Sequence, residues 1–378
     1  MGNQLTSDES FGKIMIMTTK KKYIAGEQVN GYVNVNLIRP FPSNELFLLV
    51  EGKEKSKVVD SRQYTNHEGE QRTEYFTHKG KNVFFEHYFP IYTAQGSNYF
   101  PPGQYSFPFS FHLGEQLPGS FSRKWSQSGY EPYGKIKYKI KAGLKDKNSK
   151  TSLFDKFEIV IDQKLAQGAN NICPKPFEEK VSGYCYSSHG SYKLAAIFSN
   201  DQYLVGDTAS MNIAVDATQA ETDIKSLRVA LMMHTRVEAK GVTNEQSTEV
   251  TSIMLPGIAK GTSRVDMNCI PVQMKITTKG ELQASANGNI VKNTFSLTIL
   301  GEVDGCVCYS KNPQTSIPVF VYNMHYGPQA VPQVNQMVNN WQPQSYDPYV
   351  CQMNSQFRMT SDFKNKLYID QPVQMPEQ

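Results

Sequence analysis

The 378-residue sequence predicts an all-β protein with two tandem immunoglobulin-like β-sandwich domains and an irregular C-terminal tail. Three observations support this prediction. Apolar and polar residues alternate over several runs, as in strands with one buried face. No strongly helical stretch of ten or more residues interrupts these runs, and the pattern of the first half returns in the second. A content of 21 Tyr and 20 Phe also favours strands.

The clearest strand extends from Gln104 to Leu113, where the alternation has a period of two. Its apolar face consists of Tyr105, Phe107, Phe109, Phe111 and Leu113. Pro108 in this strand has no backbone N–H to donate. We therefore expect this residue at a sheet edge or a bulge, or with its nitrogen facing away from the neighbouring strand.

A second alternating run extends from Gly134 to Ala142. One face is apolar, and the other carries Lys135, Lys137, Lys139 and Lys141. Such a cationic face discourages edge pairing with another chain. The sequence leaves open whether the face binds a partner or only keeps the protein soluble.

The rest of the first half also follows a strand pattern. Residues 46–50 are apolar on both faces, which indicates a central strand. Residues 51–80 are polar and charged, which predicts a hairpin or loop, and Ser122–Tyr133 is interpreted as a polar connector. The remaining strands are predicted at 11–17, 29–37, 83–92 and 157–161.

The second half repeats the plan of the first. Residues 203–207, Tyr-Leu-Val-Gly-Asp, match residues 23–27, Tyr-Ile-Ala-Gly-Glu, at an offset of 180. After one inserted residue, the apolar positions of 227–231 match those of 46–50. The predicted divisions are an N-terminal segment 1–10, a first sandwich 11–165, a linker 166–180, a second sandwich 181–326 and a Pro/Gln/Asn-rich tail 327–378.

Three runs of the first half, at 100–113, 117–121 and 134–142, together resemble the N-terminal signature of the arrestin superfamily, most closely the arrestin-domain-containing proteins or α-arrestins. The second half resembles the family at 203–207, 224–231 and 317–322. The resemblance implies a non-enzymatic adaptor that binds cytoplasmic parts of membrane proteins and trafficking machinery in endocytic or endosomal transport. An alternative with the same fold is a fixed subunit of a retromer-like coat, or of a cytoskeletal or ciliary assembly.

Two features of the family are missing from the sequence. No Pro-Pro-x-Tyr motif is present to bind WW domains of ubiquitin ligases. The nearest sequences, at 130–133 and 346–349, have one proline each. The first strand offers only Lys13 where beta-type arrestins carry phosphate-reading lysines, so phosphoreceptor sensing is not expected.

Composition bears on the cellular location of the protein and on its possible partners. A net charge of +4 gives no reason to expect nucleic acid as a partner. The six scattered cysteines, the lack of Asn-x-Ser/Thr acceptors and the lack of a hydrophobic signal segment predict a cytoplasmic location. No run approaches the ~20 apolar residues of a spanning helix. Peripheral contact with the plasma membrane or endosomes is therefore the expected form of membrane association.

Residues 1–6 offer a means of such contact, because they fit the pattern for N-myristoylation of Gly2. The alternative is an unmodified terminus. One acyl chain binds membrane only marginally and needs a second signal. Lys20, Lys21 and Lys22 are candidates for that signal, although a solvated hairpin tip explains them equally simply.

No catalytic or cofactor motif of the Gly-x-Ser-x-Gly, P-loop or His-Glu-x-x-His type is present, so we expect neither catalytic residues nor a cofactor. Cys185, His189, Cys306 and Cys308 are a weak candidate zinc set, since thiolates and imidazoles suit tetrahedral zinc. A Cys-x₂-Cys pair is missing, and the spacing favours ordinary reduced thiols.

Overall fold

The computed structural model describes residues 9–94, 96–145, 152–164, 170–173, 176–182, 188–280, 283–304, 311–323, 342–347 and 349–350. Short 3₁₀ turns lie at Glu9–Phe11 and Asp266–Asn268. The strands of the described chain are β1 (Gly12–Thr18), β2 (Lys22–Ile24), β3 (Gln28–Leu37), β4 (Glu45–Thr65), β5 (Gln71–Thr93), β6 (Gly103–His112), β7 (Phe121–Lys124), β8 (Tyr133–Lys145), β9 (Ser152–Asp162), β10 (Asn170–Ile172), β11 (Phe177–Ser182), β12 (Ser188–Asn200), β13 (Gln202–Leu204), β14 (Thr208–Asp216), β15 (Ile224–Ala239), β16 (Val242–Ile258), β17 (Ser263–Arg264), β18 (Ile270–Lys275), β19 (Ala286–Asn287), β20 (Val291–Val303), β21 (Gln314–Tyr322), β22 (Gln344–Ser345) and β23 (Tyr349–Val350).

Each half of the chain forms two sheets. In the first half, one sheet has the order β1-β3-β6 and the other the order β2-β9-β8-β4-β5, with β7 beside β8. In the second half, β12-β14-β18 and β13-β21-β20-β15-β16 repeat these orders, with β19 beside β20. The all-β prediction and the two-sandwich fold class are confirmed.

The sequence repeat produces two equivalent turns. Gly26 and Gly206 have φ values of +93° and +104°, in the region that favours glycine. Glu27 accepts the N–H of Ile24 at 2.8 Å, and Asp207 accepts the N–H of Leu204 at 2.7 Å. In each copy the short strand before the turn pairs in parallel, β2 with β9 and β13 with β21.

The aromatic face of β6 lies in the core of the first sandwich, as the alternation predicts. A second core fills the other sandwich. Pro108 faces Tyr32 of β3 and lies between the two short pairings of the tail with the other side of β6, where no described residue pairs with it. The prediction that residues 46–50 form a central strand is also confirmed, because β4 pairs with both β5 and β8.

Several segments differ from their sequence interpretation. Residues 51–80 form a hairpin, one of the two predicted alternatives, but its arms are continuous with the long strands β4 and β5, which turn at 66–70. β7 overlaps the start of the range interpreted as a connector. β10 lies within the predicted linker and β11 begins in it, and both pair with β12. β22 and β23 lie within the tail and pair with β6. Strands of two to six residues are too short for their alternation to stand out. The domain boundaries themselves stay predictions.

Candidate partner-binding face

The lysines of β8 belong to a wider basic surface that extends over four strands. Residues directly opposite one another in a sheet share a face. Lys55 of β4 lies between Lys81 of β5 and Lys135 of β8, and Lys53 lies beside Lys137. All eleven lysines of β4, β5, β8 and β9 share this surface, which we call the lysine face: Lys53, Lys55, Lys57, Lys79, Lys81, Lys135, Lys137, Lys139, Lys141, Lys145 and Lys156.

The alternation of side chains along each strand places these lysines on the outer side of the sheet, away from the core. Along β8 the residues between them are buried apolar side chains of the core. Along β4, Lys53, Lys55 and Lys57 alternate with buried Glu54 and Ser56. The hairpin-or-loop prediction for residues 51–80 did not assign these lysines to a strand face, so this part of the lysine face was missed. The Lys-x-Lys-x-Lys alternation at 53–57 was the available signal.

Glutamates neutralise only part of the lysine face. Glu158 contacts Lys137 at 3.1 Å and Lys139 at 3.2 Å, and Glu51 contacts Lys53. Among the described residues, Lys55 and Lys81 make no ion pair, and the row that they form with Lys135 contains no acidic side chain.

Like charges directly opposite each other destabilise a sheet. Burial lowers the pKa of Lys141, and the nearby positive charges of Lys156 and Lys145 lower it further. Its ammonium group lies 4.2 Å from the ring centroid of Phe154, which stabilises the charge in part. A partner with carboxylates or phosphates would relieve this repulsion, so the face is suited to acidic ligands.

A buried polar junction connects the two sandwiches. The Glu54 carboxylate accepts the N–H groups of Ile290 and Val291, each at 3.3 Å, and the side-chain amide of Asn82 at 2.8 Å. Burial raises the pKa of Glu54, and these hydrogen bonds oppose the increase. An added Cβ at Gly288 would lie 1.8 Å from Oε1 of Glu54, so only glycine lets the backbone approach this closely.

A second contact crosses the same junction from the other side. Arg123 of β7 donates to the hydroxyl of Thr235 at 2.5 Å and to that of Thr248 at 2.6 Å. Thr235 in turn donates to Asn293 at 2.8 Å. The lysine face is therefore part of a platform whose two halves are joined by buried hydrogen bonds.

The predicted zinc set cannot be assembled from the described residues. Cys185, Cys306 and Cys308 lie outside the described residues, whereas His189 is a buried residue of β12. Gly2, the predicted lipidation site, also lies outside the described residues. Within the described ranges, no three His, Cys, Asp or Glu side chains come close enough to hold a metal ion. The zinc set and the lipidation of Gly2 stay predictions.

The three lysines suggested as a second membrane signal do not have equal surroundings. Lys20 forms an ion pair with Glu27 at 2.7 Å, whereas Lys21 is exposed. In the described part of the chain, no helix has the length and hydrophobicity needed to cross a membrane.

Comparison with known proteins identifies related sequences in both halves. Residues 12–164 match the family model for the arrestin (or S-antigen) N-terminal domain, and residues 188–326 match that for the C-terminal domain. The chain is 26% identical over 232 residues to arrestin domain-containing protein A from Dictyostelium discoideum. The match covers 60% of this chain and 38% of that relative's length.

Proposed function

The chain belongs to the arrestin family as an arrestin-domain-containing protein, and on that premise we propose that it is a non-enzymatic adaptor that binds cytoplasmic segments of membrane proteins during endocytic or endosomal trafficking. We further propose that the lysine face binds acidic stretches of those segments. The row Lys81–Lys55–Lys135 carries this proposal, because three cations lie side by side there without an acidic neighbour.

The electrostatics favour weak and reversible binding. Exposed charge pairs contribute about 0–1 kcal/mol each and are screened by salt, so several must act together to hold a partner. Membrane proximity would raise the effective concentration of a membrane-protein tail. We propose a cytoplasmic protein with peripheral contact at the plasma membrane or endosomes, assisted by a myristoyl group on Gly2.

Proximity labelling in cells tests this function with two matched triple variants. Lys55, Lys81 and Lys135 are replaced by Gln in one variant and by Arg in the other, which keeps the charge. We expect the wild-type and Arg chains to label a varied set of membrane proteins, and the Gln chain to lose most of them. The Gln variant should remain folded, since it removes repulsion between neighbours.

Other outcomes would contradict the proposal. Labelling of one small, constant set of proteins that co-purify in fixed ratio would identify a permanent subunit of a coat or of a cytoskeletal or ciliary assembly. Equal labelling by the Gln and Arg variants would show that the lysine face does not hold the partner.

A further inference from the structure

The edge of β6 that faces away from β3 pairs with a short segment of the chain's own tail. One edge of β6 pairs with β3 along its whole length. On the other edge, Gln344 and Ser345 pair in parallel with Tyr105 and Ser106, and the pairing resumes where Tyr349 lies beside Phe109. Between these points β6 contains Pro108, which has no N–H to offer a neighbouring strand.

Tyr346 anchors this segment in an aromatic cleft. Its ring stacks on Phe107 with centroids 4.5 Å apart and meets the edge of Tyr92 at 4.9 Å. Phe107 belongs to β6 in one sheet of the first sandwich, and Tyr92 belongs to β5, the edge strand of the other sheet. The Tyr346 ring therefore contacts both sheets of the first sandwich.

The surroundings of Tyr346 differ from those of its neighbours in the tail. Burial raises the pKa of Tyr346 to about 12, with a further contribution from its hydrogen bond to Tyr92. Gln344, Ser345 and Asp347 are exposed. The cleft thus holds one tyrosine ring, and main-chain pairing with β6 gives the segment its direction.

We propose that the β6 edge and this aromatic cleft form a docking site for an extended, tyrosine-containing segment of a partner protein. Strand addition to a sheet edge supplies main-chain hydrogen bonds, and a side-chain pocket supplies specificity. The chain's own segment 342–350 shows which chemistry fits: one tyrosine in the cleft, with small or polar residues before it.

The contact with the tail is small enough to be exchanged. Only two residues pair on each side of the interruption, and one ring is the anchor. Eighteen residues separate Asn323 from Gln342 in the sequence, so the tail segment is tethered to the second sandwich and has a higher effective concentration at its site than a free peptide. A partner segment must compete with this concentration, so loosening the tail should strengthen partner binding.

Fluorescence polarisation with the full-length chain tests the site. The probe is a labelled peptide with the sequence of residues 342–350. We expect weak binding to the wild-type chain and about tenfold tighter binding to Tyr346→Ala, because that chain no longer fills its own cleft. A Tyr349→Ala chain is the matched control, since Tyr349 is 37% exposed and should bind the probe like wild type.

The probe itself provides the second control. A peptide with alanine in place of the tyrosine equivalent to Tyr346 should not bind either chain. Equal affinities of the wild-type and Tyr346→Ala chains, or retained binding of the alanine peptide, would overturn the proposal. Thermal melts should show that both variant chains are folded, because Tyr346 lies at the margin of the core.

Two further measurements separate this site from its alternatives. Tail exchange between two copies would appear as a concentration-dependent dimer of the wild-type chain that the peptide dissociates, and would overturn assignment to a partner. The Lys55, Lys81, Lys135 triple Gln variant should bind the peptide like wild type. The test of the docking site is therefore independent of whether the lysine face has a role in adaptor function.

Discussion

The two sandwiches share one strand plan, but they differ at corresponding positions of their central strands. Lys55 in β4 corresponds to Arg236 in β15 by the offset that aligns Leu46 with Leu227. Lys55 is flanked by Lys81 and Lys135, whereas Arg236 is flanked by Glu245 and Lys292. A glutamate at one position thus gives the second copy an ion pair where the first copy has only like charges.

The buried residues next to Lys55 and Arg236, in contrast, play similar parts in the two copies. Glu54 corresponds to Thr235, and each receives a hydrogen bond from the opposite sandwich. The donors differ, since Arg123 donates from its guanidinium group, whereas Ile290 and Val291 donate backbone N–H groups. The interface therefore uses equivalent acceptor positions of both copies, whereas the outer faces have diverged.

The largest expected effect comes from removing the carboxylate side of this interface. Glu54→Ala should leave the buried N–H of Val291 and the partly buried N–H of Ile290 without their acceptor. Each such group costs about 1–3 kcal/mol, and relief of carboxylate burial offsets part of the loss, so we expect about 3 kcal/mol lower stability. Chemical denaturation of the full chain at neutral pH measures this change. A loss below about 1 kcal/mol would show that Glu54 is not essential to the interface.

Glu54→Gln is the conservative control and has its own pH signature. The folded-state pKa of Glu54 is raised above its usual 4.5, so the folded protein holds this proton more tightly than the unfolded chain. Its contribution to stability is present in full below pH 4.5 and is lost as pH rises through the folded-state pKa. The Gln variant should lack this loss. An identical pH dependence in both proteins would contradict the assigned shift.

A smaller effect should follow from crowding the centre of the interface. A Cβ added at Gly134 would lie 2.7 Å from a methyl of Val237 and 2.8 Å from one of Val291. Overpacking of this kind typically costs 1–3 kcal/mol, so Gly134→Ala should lose about 2 kcal/mol. Adding Val291→Ala should recover part of that loss by making room. If the two losses were simply additive, the residues would not be in contact.

The hydroxyl side of the interface should be less sensitive than the carboxylate side. Thr235→Val removes the acceptor of Arg123 and the donor to Asn293, but Arg123 keeps its bond to Thr248. We expect a loss of about 1 kcal/mol in chemical denaturation. Thr294→Val, on the exposed face of β20, is the matched control and should be nearly neutral. A larger loss for Thr235→Val than for Glu54→Ala would reverse the ranking of the two sides.

The sequence predicted those features that repeat within a few residues. The alternation at 104–113 and 134–142 predicted two buried strand faces, and the matching turns at 23–27 and 203–207 predicted the duplication. Contacts between distant residues gave no such pattern. The bond from Ile290 to Glu54 joins positions 236 residues apart, and the contact of Tyr346 with Phe107 depends on how the chain returns to the first sheet. The reach of the lysine face depended on strand register, which periodicity alone does not fix.

The smallest effect tests the divergence of the outer faces. Lys55→Gln removes repulsion from two neighbouring lysines and should stabilise the protein by a few tenths of a kcal/mol at low salt. Arg236→Gln at the corresponding position removes an ion pair with Glu245 at 3.5 Å and should be neutral or slightly destabilising. Salt should reduce both changes, because it screens exposed charges beyond ~10 Å at 0.1 M. Denaturation at two salt concentrations measures them, and effects of the same sign at low salt would show that the two faces do not differ electrostatically.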